Sequence, residues 1–199
     1  RQLTQSPLIH MDETSVQVLK EKGRVPTSKS YMLVQARGDP EKKRSIVLFH
    51  YNPSRSQEVV GELLKDYRGT LLTDGLGVYE SFCLKHSDIV HCGCWQHVRS
   101  KFIEAQRKMK SSKRKGSLAA RVVSLIDELF RIDRKAKDLG CEGILEARRS
   151  QSTRIVEELS GILEESLEAH PKKSETGGAL HYLNNQWPKL VKFMGDGQI

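Results

Sequence analysis

Apolar and β-branched residues gather in short runs along the first half of the chain, at Leu8–Met11, Tyr31–Ala36, Ser45–Tyr51, Thr70–Thr73 and Ile89–Cys92. Runs of about four to eight such residues, bounded by turn formers, predict buried strands. Val16-Gln17-Val18-Leu19 continues or returns the first, and Lys20–Lys29, with Gly23 and Pro26, reads as a loop. Arg37–Arg44 is rich in Gly, Pro and charge and predicts a turn, so the first three strands form an antiparallel meander. After Asn52-Pro53-Ser54 the period changes. Val59, Val60, Leu63, Leu64 and Tyr67 recur at helical spacing, with Ser56 as N-cap and Gly69 as terminator. A short helix around Val78–Leu84 then precedes the fifth strand, which makes the predicted order β-β-β-α-β-α-β.

The second half is helical in pattern. A basic helix runs from Trp95 towards Met109, and Lys108–Lys115 forms a cationic stretch that reads as a solvated loop. Leu118, Val122, Leu125, Ile126 and Leu129 make one apolar face; Ile155, Leu159, Ile162, Leu163 and Leu167 make another. Gly140-Cys141-Glu142-Gly143 lies between them, which predicts an antiparallel helical hairpin, with a coiled-coil dimerisation arm as the alternative. A last helix starts at Thr176 or Gly178. Its Leu180, Leu183, Trp187, Leu190, Val191 and Phe193 are expected to pack on the sheet, and Pro188 to kink or restart it.

Composition narrows the class of protein. Its 199 residues carry a formal net charge of +8, a surplus that favours a polyanionic partner through counterion release. No stretch approaches the roughly 20 consecutive apolar residues of a membrane span, so a cytoplasmic protein with no membrane partner is expected. Cys83, Cys92, Cys94 and Cys141 are too few and too unevenly spaced for a disulfide framework and read as thiols. The chain opens on Arg1 and stops at Gly195-Asp196-Gly197-Gln198-Ile199, from which a fragment of a longer protein is expected.

Two aspartates carry the chemistry. Asp12 lies in Leu8-Ile9-His10-Met11-Asp12-Glu13-Thr14 and Asp74 ends Gly69-Thr70-Leu71-Leu72-Thr73-Asp74-Gly75, each following an apolar run. Carboxylates delivered to a sheet interior need a compensating charge, and a divalent metal is the strongest one. One reading is a two-metal phosphoryl-transfer site on a ribonuclease-H-like sheet. In the other, Asp12 opens a turn and Asp74 caps the following helix. Glu13, pointing to the opposite face from Asp12, is expected to be a solvent or loop residue.

The element order and three motifs together resemble the insertion-sequence-66 group of bacterial DDE transposases over nearly the whole chain. The motifs are Asp12-Glu13-Thr14, Asp74-Gly75-Leu76-Gly77-Val78-Tyr79 and Cys94-Trp95-Gln96-His97-Val98-Arg99-Ser100-Lys101-Phe102. Tyr182–Pro188 and Phe193–Gly197 resemble the segment before that family's third acid. Leu76 stands where an aromatic is frequent and Ser100 where a second Arg is usual, a departure that weakens contacts to DNA without touching the metal ligands.

The resemblance implies an α/β, ribonuclease-H-like, mixed five-stranded sheet with flanking helices and an inserted α-helical hairpin. The expected division is a core over 1–106, a basic linker and helical insertion over 107–173, and the start of the C-terminal part over 174–199. It implies Asp12 and Asp74 as catalytic residues and ligands of Mg²⁺ or Mn²⁺, with the third acid, a Glu, beyond Ile199. Two ions about 3.5–4 Å apart serve in-line phosphodiester displacement, with Asp12 bridging both. His97, Arg99 and Lys101 are the candidate contacts to double-stranded DNA, at element ends and target, and a homodimer is a further arrangement the family allows. Cys92, Cys94 and His97 also have partial zinc-ligand spacing, although the resemblance puts Cys94 and His97 at a strand–helix junction beside the active site. Three functions follow as expectations: a transposase that cleaves and joins strands, another ribonuclease-H-like nuclease, or an inactive or domesticated DNA-binding protein.

Overall fold

A computed structural model describes residues 3–39 and 44–199. By internal packing the chain divides into two compact units, one through Cys92 and one from Gly93.

The first unit is an α/β layer. Its strands are β1 (Leu8–Gln17), β2 (Lys29–Asp39), β3 (Arg44–Asn52), β4 (Gly69–Thr73) and β5 (Ile89–Gly93), the last ending at the boundary, with α1 (Gln57–Leu63) and α2 (Gly77–Cys83) between them. The hydrogen-bonded order is β3-β2-β1-β4-β5. β1–β2 and β2–β3 are antiparallel, as the meander predicts, and β1–β4 is parallel, so the sheet is mixed. The turn expected at Arg37–Arg44 lies at its centre, residues 40–43, outside the described residues.

Alternation along β1 sorts its side chains. Ile9 and Met11 are buried on the face covered by α1 and α2, in a core with Leu33, Val60, Leu64, Leu71, Tyr79 and Phe82. His10, Asp12 and Thr14 take the other face and are exposed. Helix α1 stops at Leu63, earlier than the Tyr67 and Gly69 expectation. Gly69 instead opens β4, with φ of 136°. A Cβ there would sit 2.7 Å from the Pro7 carbonyl oxygen, so glycine is what lets the two parallel strands start side by side. The Thr70 amide donates to that same carbonyl at 2.8 Å, and the Tyr67 hydroxyl to the Thr70 carbonyl at 2.6 Å.

The second unit is helical: α3 (Trp95–Lys108), α4 (Ser111–Arg114), α5 (Leu118–Ala136), α6 (Gly140–Ala147), α7 (Thr153–Ser166) and α8 (Glu175–Leu190). Helix α3, counted with the core by the sequence division at 106, packs here against α5 and α8. Ser117 caps α5 by accepting from the Ala120 amide at 3.2 Å, and Ser174 caps α8 by accepting from the Gly177 amide at 3.1 Å. The apolar faces of α5 and α7 meet within the chain, with Val122, Ile126, Leu129, Ile155, Leu159 and Ile162 in one core. That packing consumes the surface a coiled-coil arm would offer.

Three expectations for this unit are corrected. Gly140-Cys141-Glu142-Gly143 is not the loop of the hairpin. A short 3₁₀ turn at Lys137–Leu139 reverses the chain, Gly140 follows with φ of 69°, and α6 begins there, joined to α7 by a π-helical turn at Arg148–Ser152. Helix α8 does not restart at Pro188 but runs through it and ends two residues later, tightening to 3₁₀ geometry over Val191–Gly195; the proline leaves the Asn184 carbonyl without its usual donor. Leu180, Leu183 and Phe193, expected against the sheet, lie in the helical core with Trp95 and Phe102, whereas Leu190 joins that core and also lies against Gly93 at the end of β5. Among the described residues no helix is long and apolar enough to cross a membrane.

Candidate functional site

The three register pairs of β1 with β4 are Leu8 with Thr70, Ile9 with Leu71 and His10 with Leu72. Asp12 and Asp74 each stand two residues past the last pair, Asp12 in the middle of β1 and Asp74 just beyond β4. Their side chains therefore leave the same side of the sheet. A carboxylate oxygen of one comes within 4.8 Å of a carboxylate oxygen of the other.

Backbone amides orient both groups. Asp12 Oδ1 accepts from the Glu13 amide at 2.8 Å, and Asp74 Oδ1 accepts from the Leu76 amide at 2.9 Å, the residue that precedes α2. The helix-capping role weighed for Asp74 is not what the structure shows, because Leu76 is the N-cap of α2 and no side chain caps it; Asp74 instead closes the turn before that helix with one oxygen, and the carboxylate has two. Thr73 and His91 hold the end of β4 to β5: the buried Thr73 Oγ1 lies 2.8 Å from His91 Nε2 and 2.9 Å from the Asp74 carbonyl oxygen, to which it donates.

Glu13 departs from expectation. Its side chain is only 5% exposed, pointing with Met11 into the helix-covered face. Oε2 accepts from the Tyr79 hydroxyl at 2.7 Å and Oε1 from Arg55 Nη1 at 3.1 Å, while the Arg55 guanidinium lies 4.9 Å from the centre of the Tyr31 ring. Burial is the main cause that pushes the Tyr79 hydroxyl far above its usual pKa, and the bond to Glu13 and the charges of Glu13, Asp74 and Asp12 push the same way. Alternation carried the signal for this: a residue two positions from the apolar Met11 faces the core, and a carboxylate there needs partners.

The remaining candidates lie in the second unit. Arg99 is committed to Asp127 of α5, through Nε at 2.6 Å and Nη2 at 3.3 Å. Lys101 is half-exposed, 3.9 Å from Glu104 and 6.0 Å from the centre of the Tyr182 ring. His97 sits in the first turn of α3, half-buried. All four cysteines are thiols, and within this unit, among the described residues, no three His, Cys, Asp or Glu ligand atoms converge. Lys110, Lys113 and Lys115 are exposed, whereas Arg114 turns back to donate to the carbonyls of Arg107 and Met109 at the end of α3.

Arg148 has no counterpart in the sequence reading. It is 2% exposed, lies in the π-helical turn, and donates to Asp133 and to the carbonyls of Phe193, Asp196 and Ile199. Nothing local marks it, since Arg148-Arg149-Ser150-Gln151-Ser152 reads as a polar surface.

The family model described as "Transposase IS66 family" matches residues 1–199. Three uncharacterized proteins of Sinorhizobium fredii (strain NBRC 101917 / NGR234) are similar: y4qI at 26% identity over 96% of this chain and 36% of its own length, y4hP at 25% over 76% and 29%, and y4jD at 25% over 97% and 38%. The chain thus spans about a third of the length of these relatives. No solved structure matches it.

Proposed function

Because the chain belongs to the IS66 family of transposases, we propose that it forms the catalytic part of a DDE-type DNA transposase whose parent cleaves phosphodiesters at element ends and joins the freed ends to target DNA. The observation that carries this reading is the approach of Asp12 and Asp74 within 4.8 Å, each two residues past the last register pair of the parallel strands β1 and β4. Strand order 3-2-1-4-5, with the first and fourth strands pairing in parallel, is that expected of a ribonuclease-H-like sheet.

The donor set fits a hard divalent cation such as Mg²⁺ or Mn²⁺. Both residues offer carboxylate oxygens, Asp12 is exposed, and oxygens within 4.8 Å of one another are within joint reach of one ion at about 2.0–2.5 Å each. Such ions, when bound, supply activation of the attacking hydroxyl and stabilisation of the leaving oxygen. The chain's own residues prepare the geometry. The Glu13 and Leu76 amides hold one oxygen of each carboxylate, which turns the other outward, and Thr73 with His91 fixes the end of β4. The third acid belongs to the part of the parent beyond Ile199 in this reading.

The net charge of +8 and the exposed lysines of 110–115 support a DNA partner held chiefly through phosphates. His97 and Lys101 remain proposed DNA contacts; Arg99 holds Asp127 through Nε and Nη2 and offers a phosphate its Nη1 donors. A bacterial cytoplasmic location goes with this function. The test uses the full-length parent with labelled element-end DNA: Asp12→Asn and Asp74→Asn are expected to abolish Mn²⁺-dependent strand cleavage and leave DNA binding intact. Cleavage persisting in either variant overturns the reading.

A further inference from the structure

We infer that Glu13 and Tyr79 are positioning residues for the Asp12–Asp74 pair: their hydrogen bond on the helix-covered face of the sheet sets the spacing of the two carboxylates on the other face. The inference rests on the reading of that pair as a metal site, and nothing in the family match assigns a role to either residue.

The backbone leaves this job undone. The β1–β4 ladder ends at His10 and Leu72, so neither Asp12 nor Asp74 is held to the opposite strand by a register pair. Beyond that point the backbone register of β1 continues with β2, where Asp12 pairs with Val34 and Glu13 with Leu33. The start of the parallel pair is pinned by Pro7, Thr70 and Tyr67; at its far end the described link is Glu13 Oε2 to the Tyr79 hydroxyl at 2.7 Å. Both covalent paths from this link to the site are short. Glu13 directly follows Asp12. Tyr79 sits in the first turn of α2, whose entry is shaped by the Asp74 Oδ1 bond to the Leu76 amide.

Energetics favour a specific role over a packing one. A side chain 5% exposed that carries a carboxylate, against a tyrosine 1% exposed, costs desolvation that an apolar pair of similar volume would avoid. The carboxylate is nonetheless fully engaged, with Arg55 supplying positive charge to Oε1 at 3.1 Å and itself resting on Tyr31. Such a network is rigid when each member is satisfied, and rigidity is what a pair of like-charged ligands needs to stay close without an ion.

Mn²⁺ affinity of this chain, measured by titration calorimetry beside its melting temperature, separates the two roles. Tyr79→Phe keeps the ring and removes the hydroxyl; it is expected to weaken Mn²⁺ binding about tenfold, as loss of an outer partner does at metal sites. Glu13→Gln, which keeps an acceptor for the hydroxyl, is expected to retain most of the affinity. Arg55→Ala, at a half-exposed guanidinium, is expected to weaken it by no more than about tenfold and gives a readout should the tyrosine variant fail to fold. A lowered melting temperature with unchanged Mn²⁺ affinity in Tyr79→Phe, or in Arg55→Ala if the former does not fold, reduces the bond to a packing role and overturns the inference. Asp12→Asn serves as control: if it too leaves Mn²⁺ affinity unchanged, the metal reading itself falls and the inference with it.

Discussion

Arg148 grips Asp133 through two parallel bonds, Nε to Oδ1 and Nη2 to Oδ2, each 2.8 Å long. The same guanidinium donates through Nη1 to the Phe193 and Asp196 carbonyls at 2.6 and 2.8 Å and through Nη2 to that of Ile199 at 2.6 Å, and stacks over the Phe193 ring with 4.9 Å to its centre. One buried cation therefore joins α5, the π-helical turn and the segment after α8.

Removing it leaves a partly buried carboxylate and the Ile199 carbonyl without the guanidinium, while the Phe193 and Asp196 carbonyls keep only the longer bonds from the Asp196 and Ile199 amides, at 3.4 and 3.3 Å. Arg148→Met is expected to destabilise the second unit by roughly 3–5 kcal/mol, the usual range for breaking a buried charged pair from one side. The two tryptophans of the chain, Trp95 and Trp187, both lie in this unit, and Trp95 meets Phe193 edge-on at 5.9 Å. Urea unfolding followed by tryptophan fluorescence reads the effect directly, and a midpoint within error of the parent would show that the network contributes nothing net.

Asp12 and Asp74 bring like charges within 4.8 Å. Asparagine keeps the oxygen that accepts the Glu13 or Leu76 amide and removes the repulsion. Asp12→Asn and Asp74→Asn are accordingly expected to melt at or above the temperature of the parent and to lose its stabilisation by Mn²⁺. Thermal scans with and without Mn²⁺ decide it: lower melting in each variant, with no ion effect in any protein, would mean that the aspartates serve only their local backbone bonds.

Duplex DNA binding by the chain is expected to be chiefly electrostatic. Lys110, Lys113 and Lys115 are exposed on and beside α4, and replacing all three with Ala should flatten the plot of log affinity against log salt by about 0.9 for each phosphate no longer neutralised. Fluorescence anisotropy at several salt concentrations measures the slope. An unchanged slope would move the DNA-binding surface elsewhere.

Alkaline stability reports the buried tyrosines. Burial raises the pKa of both Tyr67 and Tyr79 above the ordinary value of about 10, so folding favours the neutral hydroxyl. The sign follows from proton uptake. This contribution is complete below about pH 10 and is lost as the pH rises through the ordinary value towards the higher folded-state values. Tyr67→Phe removes one of the two groups and the bond to the Thr70 carbonyl, at a cost of about 1 kcal/mol near neutrality. Its unfolding midpoint, followed by circular dichroism from about pH 9 to 11, should then fall less steeply than that of the parent.

The strands themselves, the apolar faces of α5 and α7, and the two aspartates that each follow an apolar run were all legible in the sequence, because each is a local pattern within one stretch of chain. Partnerships across elements were not. Glu13 reads as a solvent residue until α2 brings Tyr79 over the opposite face of the sheet, and Arg148 reads as surface until the end of the chain folds back across it. The hydrophobic face of α8 was visible, but not that Trp95 and Phe102 of α3 would cover it. Apolar burial is non-directional and declares itself residue by residue, whereas a buried charge is tolerated only where a distant segment delivers a donor or acceptor at bonding distance, and that delivery exists only once the chain has folded.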